Sequence, residues 1–130
     1  MTVQDIKIET LNAITEQVIK CAIEVHRQLG PGLLESIYEK ALLYELKTLD
    51  LRCECQVPLP IIYNGEKLGE QRIDMIAGGE VIVELKAVER MDPVFEAQLL
   101  SYLRLTKKKV GLLINFNVPA LRLGIKRMVL

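Results

Sequence analysis

Hydrophobic residues recur along this chain with two different periods, and the change of period divides it. From Gln4 to Leu29, apolar positions at Leu11, Ile14, Val18, Ala22, Val25 and Leu29 follow helical spacing, which predicts an amphipathic helix with one buried stripe. Gly30-Pro31-Gly32 ends it. A second helical pattern starts near Leu34 and closes at Asp50, with Ile37, Ala41, Tyr44 and Leu46 expected along its inner side. Two helices thus precede any strand.

Beyond Asp50 the period shortens. Arg52 to Ile62 alternates loosely and carries Pro58 and Pro60, which suits an edge or bulged strand because proline donates nothing to a ladder. Tyr63-Asn64-Gly65-Glu66 predicts a hairpin turn, since Asn-Gly adopts positive φ readily, and the return strand runs from about Lys67 to Ala77. A second turn at Gly78-Gly79 leads into Val81-Ile82-Val83-Glu84-Leu85-Lys86-Ala87. Asp92 as N-cap and Pro93 at the first helical position open a third helix reaching about Thr106. Val110 to Phe116 reads as a buried strand that returns parallel through a right-handed crossover, and Leu121 to Val129 as a last strand. The expectation is an α/β fold with a mixed sheet, in the order α-α-β-β-β-α-β-β: three antiparallel strands, then a parallel crossover.

Composition narrows the class. A chain of 130 residues, half of them hydrophobic, fits one domain over residues 1–130 with its own core. Cys21, Cys53 and Cys55 form neither a paired framework nor a zinc ligand set, so reduced thiols and a cytoplasmic setting are the natural expectation. No run approaches the roughly 20 apolar residues of a membrane span, and no basic stretch leads an apolar one at the start. Formal net charge is zero but unevenly spread: residues 101–130 hold seven basic residues and no acid, leaving ten basic and seventeen acidic residues in 1–100. A basic segment beside an acidic body suits phosphate at one place and a cation at another, and equally a solvated helix end.

The strand 81–87 carries the candidate chemistry. Its first residues are apolar on both faces, so it is expected to be covered on both sides, yet it ends with Glu84 and Lys86 on one face and Val83, Leu85 and Ala87 on the other. Across the Gly78-Gly79 turn, Asp74 is expected opposite Glu84, with Arg72, Asp74 and Ile76 on one face and Ile73, Met75 and Ala77 on the other. Two carboxylates on neighbouring strands, with the Leu85 carbonyl between Glu84 and Lys86, make an oxygen-rich corner suited to Mg²⁺ or Mn²⁺. Lys86 beside such an ion can orient a water or steady charge building up on a phosphate. The same residues also fit a solvated ion-pair patch. Gln98 and Tyr102 share a face of the third helix, and Glu35 and Tyr38 follow the Gly30-Pro31-Gly32 break, where a first-turn glutamate is favoured by the helix dipole alone. His26 lies beside the apolar stripe, Cys53 and Cys55 face one way, and Lys107 to Lys109 sit where a helix end favours them; each has a structural reading.

Taken together, Asp74, then Glu84-x-Lys86, then Gln98-x-x-x-Tyr102 resemble the PD-(D/E)XK nuclease superfamily, the last element being similar to that of its exonuclease-type members. The stretch from Val25-His26-Arg27-Gln28-Leu29-Gly30-Pro31-Gly32 through Glu35 and Tyr38 to Leu42 resembles the signature of the GxxExxY proteins within that superfamily. The resemblance implies a restriction-endonuclease-like core in which Asp74, Glu84, the Leu85 carbonyl and Glu35 hold a divalent ion, Mg²⁺ or Mn²⁺. It implies Lys86 as the catalytic lysine, and Gln98 and Tyr102 as supports of the site or contacts to a nucleic-acid backbone. Ile73 stands where the superfamily's name has proline. The implied activity is phosphodiester hydrolysis of nucleic acid, DNA more than RNA, without base-sequence specificity. The alternatives are a module that grips nucleic acid without cutting it, or an interaction protein, for instance a homodimer, docking on a partner.

Overall fold

The computed structural model describes residues 1–130. Helix α1 spans Val3–Leu29, α2 Glu35–Thr48 and α3 Pro93–Thr106; the strands are β1 Cys53–Tyr63, β2 Glu66–Ala77, β3 Val81–Lys86, β4 Val110–Asn115 and β5 Ile125–Val129. They form one five-stranded sheet in sequence order, antiparallel throughout except for the parallel β3–β4 pair that α3 connects. The larger core lies between α1, α2 and one face of this sheet; a smaller cluster lies under α3 on the other. No helix is long and apolar enough to cross a membrane.

Local chemistry accounts for the element ends. Thr2 and Asp5 form a capping box at the start of α1, which satisfies two backbone donors that the first turn leaves free. Leu11, Ile14, Val18, Ala22 and Val25 are buried as the spacing predicts, while Leu29 is exposed because α1 has passed the sheet by then. Gly30 stops the helix at φ +67°. Tyr38 then holds the break: its hydroxyl donates to the Gly30 carbonyl at 2.6 Å and accepts from the Leu33 N–H at 3.1 Å, and its ring stacks on Phe116 with centroids 4.4 Å apart. Asp92 accepts from the Val94 N–H at 2.9 Å and starts α3 with Pro93 behind it.

Three expectations are corrected. The inner side of α2 is Tyr38, Leu42 and Leu46, all fully buried, whereas Ile37 and Tyr44 are exposed. The helix is apolar on more than one side, so periodicity left its rotation open and contact with the sheet chose it. On β2, Met75 and Ala77 do face the larger core, but Ile73 belongs to the cluster under α3. The alternation slips where Gln56 of β1, at φ +52°, stands beside Asp74: Cys53 and Cys55 pack with the larger core, Val57 and Leu59 with the smaller. The last strand is shorter than expected, because Leu121–Leu123 form a single 3-10 turn and pairing begins only at Ile125. As expected, β1 lies at the sheet edge, and its ladder with β2 shifts register between Ile61 and Ile62. Both hairpin turns place two consecutive residues at positive φ, Asn64-Gly65 and Gly78-Gly79.

Candidate active site

The β2–β3 ladder pairs Ala77 with Val81, Ile76 with Ile82 and Met75 with Val83, and then gives way. At the next rung the carboxylates take over the role of backbone partners. The Asp74 N–H donates to Glu84 Oε2 at 2.8 Å, and the Leu85 N–H donates to Asp74 Oδ2 at 2.8 Å. The two acids are therefore interlocked with each other's strands at the mouth of a fork. Glu84 is only 3% exposed, but no side-chain oxygen in the fold is both buried and unpartnered, so its second oxygen reaches solvent. Leu85 itself points into the larger core beside Val83 and Ala87, which puts Glu84 and Lys86 on the α3 side, as alternation requires.

Burial raises both carboxyls of this pair. The Glu84 carboxyl is pushed up to about 8, first by desolvation and then by the charge of Asp74. Asp74 is raised by burial against the opposing pull of the Leu85 N–H and Lys86. Glu35, at the start of α2, is exposed as a residue, yet partial desolvation and then the charge of Asp74 raise its carboxyl too. The Tyr102 hydroxyl is pushed up to about 12 by burial, followed by Glu84 and Asp74. Five of the residues singled out from sequence thus act on one another: Glu35, Asp74, Glu84, Lys86 and Tyr102.

They do not all close on one point. The Lys86 ammonium lies over the Phe95 ring, 4.5 Å from its centroid, a cation–π contact with the first turn of α3. Tyr102 donates to Gln71 Oε1 at 3.2 Å, and Gln98 is half-buried one turn before it on the same helix. No three Asp, Glu, His or Cys side chains converge in a geometry that holds a metal ion. Asp74 and Glu84 form a ready pair; Glu35 stands off. The donor chemistry nonetheless fits a hard divalent cation: two close carboxylates, raised chiefly by burial, with an oxygen open to solvent. A groove of about 860 Å³ lies elsewhere, between the start of α1 and the β4–β5 pair near Val110, Arg127 and Val129, and contains none of these residues.

A family model for the PD-(D/E)XK nuclease superfamily matches residues 12–128. The chain belongs to this superfamily. No curated protein and no solved structure matches it. The mixed sheet, antiparallel with one parallel pair, is the restriction-endonuclease-like architecture expected from the motifs. Members of the superfamily generally use divalent ions and act on nucleic acid, and the matched span contains every site residue singled out above.

Sequence reasoning missed several neighbours. Gln56 and Gln71 sit on strands read only for alternation, which in the sequence runs unbroken through Gln56, so neither gave a signal. Phe95 gave none. Asn115 did, as a polar residue ending an apolar strand: it is 2% exposed and clasps the chain after Lys86, accepting from the Val88 N–H at 3.1 Å and donating to the Val88 carbonyl at 2.9 Å. The residues given a structural reading keep it. His26 Nε2 lies 2.8 Å from the Val118 carbonyl; burial raises the Cys53 thiol and pushes Cys55 to about 11, which keeps both protonated. Lys107 is the left-handed cap of α3, and Lys108 donates to the Gly79 carbonyl at 2.7 Å.

Proposed function

We propose that the protein hydrolyses phosphodiester bonds of nucleic acid at the Asp74–Glu84–Lys86 corner, with Mg²⁺, or Mn²⁺ in its place, as cofactor. The observation that carries this reading is the interlocked acid pair, two close and largely buried carboxyl groups whose negative charge a cation would balance. Asp74, Glu84 and the Leu85 carbonyl would hold the ion, joined by Glu35 from α2. A bound divalent ion supplies Lewis-acid polarisation of the phosphate and acidifies water. Lys86, swung off the Phe95 ring, steadies the charge that grows on the phosphate oxygens. Gln98 and Tyr102, one turn apart on α3, would support the site or touch the nucleic-acid backbone. The expected cleavage is without base-sequence preference, on DNA ahead of RNA. Gly32, Glu35 and Tyr38, arranged about the α1–α2 break, support placement among the GxxExxY proteins.

The decisive assay is cleavage of single- and double-stranded DNA and RNA with Mg²⁺ and with a chelator. Asp74→Ala and Lys86→Ala are expected to abolish metal-dependent cleavage while keeping the wild-type circular dichroism spectrum. Wild-type rates in either variant would sink the assignment. One observation favours a second reading, a module that binds without cutting: Lys86 rests on Phe95 and no third acid has closed on the pair. Affinity for nucleic acid that survives chelation, without cleavage, would select it.

A further inference from the structure

Gln56 is out of place by backbone criteria. It lies in the middle of β1 at φ +52°, a conformation that L residues other than Asn, Asp and Gly rarely adopt, and it sits where the strand changes faces. Two ties hold it there: its side-chain Nε2 donates to Glu39 Oε1 at 2.7 Å, and its carbonyl accepts from Arg72 Nη1 at 3.1 Å. The ladder, pairing Cys55 with Met75 and Val57 with Ile73, sets Gln56 opposite Asp74. Glu39 follows Glu35 by one turn on α2, so the two acids share a face of that helix. Gln56 therefore bonds to the element that carries Glu35 and stands opposite the residue that Glu35 would have to join.

We propose that Gln56 is a positioning residue: its amide, anchored on Glu39, ties α2 to the strand of Asp74 and sets how closely Glu35 approaches the Asp74–Glu84 pair. This rests on the metal site proposed above. Side-chain length is central to it. Gly or Asn would satisfy the left-handed backbone better, but Gly has no amide and Asn is one methylene too short to span the same gap. A structural role alone gives no reason for glutamine at this φ. Glu35 would have to move inward with α2, along the path this tie sets, to complete a cation's oxygen shell.

The test uses the full chain, thermal melts and Mn²⁺ alone, so that it does not depend on cleavage. Wild type, Glu35→Ala, Gln56→Gly and the double variant are melted in chelator and then across a Mn²⁺ titration, with Gln56→Asn as a second version of the same change. Gln56→Gly is expected to keep or raise the metal-free melting temperature, since it relieves the backbone, yet to raise the half-stabilising Mn²⁺ concentration about tenfold. In the Glu35→Ala background the same substitution is expected to add nothing, because the residue it positions is gone. A wild-type Mn²⁺ response in both Gln56→Gly and Gln56→Asn, or full additivity in the double variant, would overturn the inference while leaving the metal site standing. Absence of any Mn²⁺ stabilisation in wild type would instead overturn the metal site, and this inference with it.

Discussion

Replacing Glu84 by glutamine isolates the electrostatics of the corner, because glutamine keeps an oxygen to accept the Asp74 N–H and removes only the ionisable group. In the folded chain the Glu84 carboxyl sits at about 8 instead of 4.5. Folding therefore retains a proton that the unfolded chain gives up across that interval. The metal-free fold has its full stability below about pH 4.5 and loses it as pH climbs toward about 8. At ~1.4 kcal/mol per pH unit, that span caps the loss at roughly 5 kcal/mol. Because Glu84 and Asp74 titrate as a coupled pair, about half the cap is the expected contribution of Glu84 itself. For a domain of this size, that corresponds to roughly 10 °C in melting temperature. Melts followed by circular dichroism in chelator, from about pH 5 to about pH 8, should show wild type falling by that much more than Glu84→Gln. Mg²⁺ added at the alkaline end should recover wild type and leave Glu84→Gln unmoved. Wild-type and variant curves that run parallel across the whole range would refute a buried, proton-holding Glu84.

Other expectations follow from the same structure. Tyr38→Phe removes a hydroxyl that both donates to Gly30 and accepts from Leu33, and should cost about 1–2 kcal/mol in urea unfolding without changing the denaturant slope; an unchanged midpoint would show that the α1–α2 break is held by stacking on Phe116 alone. Leu42→Ala should cost about 2–5 kcal/mol and Tyr44→Ala within about 0.5, a contrast that would reverse if α2 were rotated as its periodicity alone suggested. Gly124→Ala drives a methyl into the Asn115 carbonyl, where the Asn115 N–H already bonds to Gly124; unfolding or a loss of about 3 kcal/mol or more is expected, and a neutral variant would show that this approach of backbones is looser than it stands.

Local signals dictated much of this protein on their own. Helix ends were legible because Asp92-Pro93 and Gly30 act on the backbone within a few residues, and the hairpins because Asn64-Gly65 and Gly78-Gly79 carry the positive φ that such turns need. The strand 81–86, apolar on both faces until its charged end, announced both its central position and its site. Pairing arithmetic across a two-residue turn then placed Asp74 against Glu84. What the tertiary structure alone decided is of another kind. The rotation of α2, the slip of β2 at Asp74, the seat of Lys86 on Phe95 and the tie from Gln56 to Glu39 each depend on which surfaces meet. Period fixes which residues share a face, but only contact with another element says which face is turned inward, and a hydrogen bond between residues 17 apart leaves no trace in local spacing.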